Sequence, residues 1–307
     1  MEQPQRTRTY QCQHFDSTRW DGYQPRDSDI IVATSYKAGT TWTQAILAHL
    51  LFPDGQFPDT PANLSPWLDM NMVPLDVALD TIESQTHRRY IKTHLPLDGM
   101  RYEDKIKYVY VSRDGRDVFM SMWNHYRNYT DQMYLDLDNM PGFEDQPFPR
   151  APDDIHTFWA NWISKSYFDN EASGWPFWSH FSNVQSWWDY RDLPNIEFFH
   201  YNDMLNDLDG EMRRLANYLE IDVPEKYWPS IVDACSFASM KERAVEYTPG
   251  GGIFWKGGAQ TFINKGTNGR WRDVLSEEEL ALYELACEKE LSADCRHWLE
   301  NGRSQDG

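Results

Sequence analysis

Cysteine is scarce in this 307-residue chain: Cys12, Cys235, Cys287 and Cys295 include no C-x-x-C pair, and a chain of this length does not depend on a disulfide framework. The four read as reduced thiols. Long hydrophobic runs are missing too. Nowhere do about 18 apolar residues stand together, and residues 1–9 are polar with no apolar signal core, so neither a membrane span nor a secretory leader is expected and the expected location is cytoplasmic. Cations are in short supply, with 29 Lys and Arg against 48 Asp and Glu and a formal charge of -19. Such a surface repels the backbone of a nucleic acid and an anionic membrane, so neither is an expected partner. An anionic ligand would need a local pocket where Lys and Arg outvote the global field. Repeats and low-complexity tracts are also absent.

Apolar material, by contrast, is plentiful. Hydrophobic residues make up 40% of the chain and aromatics 15%, with 14 Trp, enough to bury a large core. Asp29–Thr34 is a short apolar run, followed by a turn-like stretch with Gly39 and then by helical spacing over Thr40–Leu51, which reads as strand, loop, helix. Further strands are expected at Arg89–Thr93, Lys107–Ser112 and Ile196–His200, with helices over 117–126 and 204–219 and a last helix over 276–299. Ser276 and Glu279 have the spacing of a capping box at its start. Strands alternating with helices predict an α/β fold: a single domain over 1–307 with a central, mainly parallel sheet flanked by helices. Residues 128–152 form an acidic insertion with no clear period, expected as a lid or loop beside a binding site. The glycines at 250–252 and 257–258 are expected to mark a second mobile stretch.

The loop between the first strand and its helix is Thr34-Ser35-Tyr36-Lys37-Ala38-Gly39-Thr40-Thr41-Trp42. Backbone N–H groups and a helix dipole converge there on any anion. Lys37 adds a point charge, and Thr40 and Thr41 add hydroxyl donors. The spacing is not that of a Walker loop, because Gly39 follows the lysine instead of preceding it, which disfavours ordinary nucleoside-triphosphate chemistry.

This stretch resembles the 5′-phosphosulfate loop of the cytosolic sulfotransferases that use 3′-phosphoadenosine 5′-phosphosulfate (PAPS), usually written T-Y-P-K-S-G-T-T-W. Three more segments resemble that family in the same order. Lys92-Thr93-His94-Leu95-Pro96 is similar to the motif whose histidine is the catalytic base. Arg113 and Ser121, eight residues apart, match the pair that holds the 3′-phosphate. Lys265-Gly266-Thr267-Asn268-Gly269-Arg270-Trp271-Arg272 looks like the segment that closes over that phosphate, with Asn264 where the family has arginine and Arg270 or Arg272 as the cation that could compensate. By likeness, Trp42, Tyr201 and Phe237 contact the adenine, Cys235 stands in place of a threonine donor, and Ala38 leaves the loop backbone available in place of a serine. The motif-bearing core spans about 28–281. The family's dimer motif survives only as Arg272, Ser276, Glu277 and Ala281, so dimerisation by that route is not expected and the oligomeric state stays open.

The resemblance implies sulfuryl transfer from PAPS to a hydroxyl or amine of a small-molecule acceptor, without a metal, releasing adenosine 3′,5′-bisphosphate. Catalysis falls to His94, Lys37 and Lys92. The donor site comprises Lys37, Ala38, Gly39, Thr40, Thr41, Trp42, Arg113, Ser121, Tyr201, Cys235, Phe237, Asn264, Lys265 and Gly266. Two other readings compete: a P-loop kinase of a small molecule, and a nucleotide-binding protein without chemistry. The acidic segment near the acceptor favours a neutral or cationic acceptor.

Overall fold

The computed structural model describes residues 2–303. Four strands, β1 (Ile30–Thr34), β2 (Tyr90–Thr93), β3 (Lys107–Ser112) and β4 (Ile196–His200), form one sheet in the order β2-β1-β3-β4. Every pairing is parallel, with Ile31 opposite Ile91 and Tyr108, and Tyr110 opposite Phe198. A parallel sheet needs cover on both faces, and its strands then read as unbroken apolar runs. β1 does so: all five of its residues are buried. Alternate residues feed two cores. Ile31, Ala33, Ile91, Tyr108 and Tyr110 face the larger one, and Ile30, Val32, Tyr90, Val109 and Val111 face the other.

The helices in chain order are α1 (Thr40–Leu51), α2 (Leu75–Ser84), α3 (Gly115–Arg127), α4 (Asp131–Asp138), α5 (Ile155–Ser164), α6 (His180–Trp188), α7 (Tyr201–Asn206) and α8 (Leu208–Tyr218). They continue with α9 (Trp228–Ala234), α10 (Phe237–Glu242), α11 (Ala244–Tyr247), α12 (Ala259–Phe262), α13 (Glu277–Glu290) and α14 (Ala293–Asn301). No helix among the described residues is long and apolar enough to cross a membrane.

Three expectations are corrected. The helix expected over 204–219 is two, α7 and α8, because Asp207 leaves helical geometry (φ -146°, ψ 78°) and its carboxylate caps α8 by accepting from the Gly210 amide at 2.9 Å. The last helix also divides, at an extended Leu291, although its start carries the expected capping box between Ser276 and Glu279. The acidic segment is not structureless: Thr130 caps α4 through its side chain, and α4 packs Met133 and Leu137 inward. The glycines at 250–252 meet a geometric need. Gly252 has φ +93°, and a Cβ there would lie 2.2 Å from the Ala259 amide nitrogen, so only glycine fits.

The two ends of the sheet differ in kind. At the amino ends of β1 and β2, Arg89 donates to Asp29 (Nε–Oδ1 2.8 Å) with both side chains fully buried, and Asp29 also accepts from the Arg26 amide. That is a structural ion pair whose charges satisfy each other. At the carboxyl ends the chain leaves the sheet into loops. Strand order reverses at β1, and in open parallel sheets a ligand crevice opens at such a point, outside the carboxyl ends.

Candidate active site

A cavity of ≈ 1630 Å³ opens at that point. Its floor is the loop from Ser35 to Gly39, which joins β1 to α1. Gly39, at φ +123°, starts α1, and a Cβ there would press on Tyr201 and Val111. Lys37 also has a positive φ, +56°. Left-handed geometry costs a non-glycine residue about 1–2 kcal/mol, so strain is stored at the residue whose ammonium enters the cavity. The loop is anchored elsewhere. Tyr36 is buried and its hydroxyl accepts from Trp162 Nε1 at 2.8 Å, while Ala38 is fully buried and offers the cavity no side chain.

His94 follows β2. Its Nδ1 lies 2.9 Å from the Thr34 carbonyl and 3.1 Å from Thr34 Oγ1, and Thr34 Oγ1 is 2.6 Å from Thr40 Oγ1. A carbonyl can only accept, so Nδ1 carries the proton and Nε2 keeps its lone pair. The backbone is pinned as well: Asn183 Nδ2 of α6 donates to the His94 carbonyl, and Tyr110 donates to Asn183 Oδ1, both at 2.9 Å. Trp67 meets the ring edge-on at 4.8 Å. Burial, then Lys92 and Lys37, push the imidazole down to about 3, so it is neutral near pH 7.

Lys92 and Lys37 both line the cavity, and burial lowers each ammonium, Lys92 to about 8 and Lys37 to about 7. Lys92 and Arg113 lower Lys37 further. The wall is therefore strongly cationic inside an acidic protein. Arg113, just past β3, is buried and lies 4.1 Å over the Tyr201 ring. It donates to Asn268 Oδ1 (Nε, 2.8 Å) and to the Thr267 carbonyl (3.0 Å), and the Gly269 amide donates to Asp117 of α3 at 2.8 Å. The glycine-rich segment 265–270 is thus fastened over the start of α3. Asp114 pairs with Arg116 instead, at 2.6 Å, which leaves Arg113 to the loop.

Most of the residues singled out in the sequence come together here. Lys37, Gly39, Thr40, Thr41, Trp42, Lys92, His94, Arg113, Ser121, Tyr201, Phe237, Asn264, Lys265 and Gly266 all line the cavity. Trp42 and Tyr201 pack edge-on at 5.1 Å, and Phe237 lies so close to Gly266 that a Cβ there would come within 2.2 Å of its ring. Two residues stand apart. Ala38 is one, and the Cys235 side chain is the other: it is fully buried in the core, and only its carbonyl takes part, accepting from Trp42 Nε1 at 2.8 Å. Of the two arginines that could replace the missing charge at Asn264, Arg270 lines the cavity with a buried, unpartnered Nε, while Arg272 lies exposed against Trp271.

Beyond His94 the wall turns apolar. It is built from Trp67, Met70, Met72, Val73 and Pro74, from Met122 and Tyr129, from Met133, Leu135 and Met140, and from Phe177, Trp178, Phe254 and Trp255. The acidic segment lines this part, as expected, and supplies Asp136, with Asp59 the other acidic lining residue. His14 and His125 line the cavity and were not found in the sequence. Among the described residues, no group of three His, Cys, Asp or Glu side chains is arranged to hold a metal ion.

The comparisons with known proteins agree in kind. The "Sulfotransferase domain" family matches residues 27–294. A glycolipid sulfotransferase of Mycobacterium bovis is 30% identical over 316 residues, covering 96% of this chain and 94% of the relative. Sulfotransferase 1B1 of Mus musculus is 25% identical over 283 residues, covering 89% and 86%. Among solved structures, a mouse sulfotransferase complexed with PAP has a TM-score of 0.67 at 21% identity, covering 91% of this chain and 90% of that one. Retinol dehydratase in complex with retinol and PAP also scores 0.67, at 24% identity, covering 94% and 86%. At those identities the two structures speak to the fold.

Proposed function

The chain belongs to the sulfotransferase domain family and is a sulfuryl-transfer enzyme, and we propose that it carries the group from PAPS to a hydroxyl, or an amine, of a small acceptor with a large apolar body, with His94 as the base. The observation that carries this reading is the placement of His94. Its Nδ1 is tied to the Thr34 carbonyl, so its basic Nε2 is the free nitrogen of a ring that lines a cavity with lysines on one side and apolar side chains on the other.

The donor set suits a multiply charged anion. Lys37, Lys92, Arg113, Lys265 and Arg270 share one wall, and the unpartnered Nε of Arg270 is a buried donor in want of an acceptor. PAPS supplies the activated sulfuryl group and leaves as adenosine 3′,5′-bisphosphate. His94 Nε2 takes the proton from the acceptor hydroxyl as the new oxygen–sulfur bond forms and the bond to the phosphate oxygen breaks with its electron pair. Lys37 meets the negative charge that develops on that leaving oxygen, and Lys92 and Thr41 hold neighbouring oxygens. Arg113, Ser121, Arg270 and Lys265 grip the distal phosphate, and Trp42, Tyr201 and Phe237 offer flat apolar faces to the base. As in phosphoryl transfer, most of the acceleration then comes from alignment and charge stabilisation.

An anion in this wall also corrects the base. The lysine charges that depress His94 are neutralised by it, and the imidazole rises toward the range where it can accept a proton near neutral pH. The apolar wall, rich in methionine, adapts to a bulky hydrocarbon acceptor. The relative named for glycolipid sulfation and the retinol-bound neighbour support an acceptor of that kind.

The test is thermal stabilisation by adenosine 3′,5′-bisphosphate against Mg-ATP, followed by turnover of PAPS with a panel of apolar alcohols, phenols and amines. A ligand at about 100 times its Kd adds about 2.7 kcal/mol, which is easily seen. Stabilisation by the bisphosphate alone is expected. Stabilisation only by Mg-ATP would move the assignment to a small-molecule kinase, and bisphosphate binding without turnover across the panel would leave a nucleotide-binding protein.

A further inference from the structure

Lys37 is held by a side chain that the reaction as described does not use. His125 lies in the last turn of α3, one turn beyond Ser121, and its Nδ1 stands 3.3 Å from Lys37 Nζ. The ring is itself fixed among Tyr129 at 5.2 Å, Trp255 at 5.0 Å and Phe262 at 5.8 Å. The same Phe262 presents its face to the Lys37 ammonium at 4.2 Å. Lys37 is thus clasped between an imidazole nitrogen and an aromatic face.

An ammonium has only donors, so the contact requires a lone pair on His125 Nδ1 and places that ring's proton on Nε2. His94 is the reverse: its Nδ1 donates to a carbonyl and its Nε2 is bare. Two neutral histidines on one cavity wall therefore hold opposite tautomers. We propose that His125 is a positioning residue for sulfuryl transfer, accepting a hydrogen bond from Lys37 through Nδ1 and so keeping that ammonium charged and aimed at the leaving oxygen. This rests on the role given to Lys37 above.

The surroundings make such a partner necessary. The charged and titratable groups that bear on Lys37 are Lys92 after Trp67 on β2 and Arg113 after β3, and those that bear on His125 are Lys37, His14, His94 and Lys92. All are cations or neutral imidazoles. Burial and these neighbours bring Lys37 down to about 7, at the edge of losing its charge under ordinary conditions. The Nδ1 lone pair opposes them, because a hydrogen bond to the charged form favours that form.

The experiment compares His125→Phe, His125→Gln and His125→Asn in the full chain. Asn returns an acceptor at the Nδ1 position, Gln moves it one bond away, and Phe removes it while filling the space. In ligand-free protein, the pH dependence of Lys37 acylation by an amine-reactive reagent is read by peptide mass spectrometry. The midpoint should fall by about one pH unit in the Phe and Gln variants and stay within a few tenths in Asn. At pH 7.5, kcat for sulfuryl transfer should fall about tenfold or more in Phe and Gln, with bisphosphate affinity within about threefold, and Asn should restore most of it. Equal impairment of all three variants, or an unchanged acylation midpoint in Phe, overturns the proposal. The acylation result stands whether or not PAPS is the donor, so failure of the functional reading shows separately, as absence of PAPS turnover in the wild type. Should Phe not fold, Gln against Asn makes the same comparison.

Discussion

The two halves of the cavity are built by different rules. The cationic half comes from the sheet: the loop after β1, His94 after β2, Arg113 after β3 and the first turns of α1 and α3. Its groups are fixed by hydrogen bonds to backbone or to buried amides, as with His94 on Thr34 and Asn183 on the His94 carbonyl. The apolar half comes from segments outside the sheet: residues 67–74, α4 with the chain after it, and the loop containing Phe254 and Trp255. Its side chains meet by packing and carry few hydrogen bonds. Chemistry that must be accurate to a fraction of an ångström sits on the rigid frame, and recognition of the acceptor is left to parts that can vary without disturbing it.

The sharpest way to break this division is to remove the base. His94→Ala should lower kcat about a thousandfold, within the range attributed to general bases, while bisphosphate affinity changes by less than about threefold, because the donor is held by other groups. Steady-state kinetics alongside calorimetric titration checks both. Near-normal turnover would remove His94 from its role. A large loss of donor affinity would show that the donor half depends on the ring for its shape.

A smaller effect separates the two arginines. Arg270 is partly buried, and burial with the nearby Arg113 lowers its affinity for its proton without making it neutral, so an anion should be a welcome partner. A hydrogen bond to a charged group is worth about 1.5–3 kcal/mol, and Arg270→Ala should weaken bisphosphate binding about 10- to 100-fold. Arg272→Ala, at an exposed residue stacked on Trp271, should change it less than about twofold. If the two variants behave alike, the charge missing at Asn264 is not supplied by position 270.

The same division decides what could be read from the sequence. The sheet and the cationic half are local: each motif is a strand end with its following loop and helix, so residues near in sequence are near in space, and β3, β4 and α1 fall at the boundaries expected of them. The apolar half is assembled from distant segments with no common period, and nothing in residues 67–74 or 249–263 announces that they meet. His125 was within reach, since Ser121, His125 and Tyr129 follow one another at four-residue spacing and all line the cavity. The Cys235 side chain was misplaced for a different reason. Its contribution is a backbone carbonyl, and likeness between side chains carries no information about that. Asp207 broke a helix for an equally local reason, the ability of a short carboxylate to cap the next turn.

The smallest expected effect concerns the rim of the acceptor half. Asp136 on α4 and Asp59 are its carboxylates, and both are partly open to solvent, where a charge acts weakly and is screened within about 10 Å at ordinary salt. Asp136→Asn should therefore lower kcat/KM for an amine-bearing acceptor by about two- to threefold at low ionic strength, and the difference should vanish at about 0.5 M salt. A neutral alcohol should respond at neither salt level, and bisphosphate affinity should not move. Asp136 also accepts from Gln132 at 2.7 Å, so Gln132→Ala serves as the control for a mere local loosening of α4. A loss with the neutral alcohol that survives high salt, or one reproduced by Gln132→Ala, would mean that the rim acts through shape. A loss of donor affinity would mean that the two halves of the cavity are coupled.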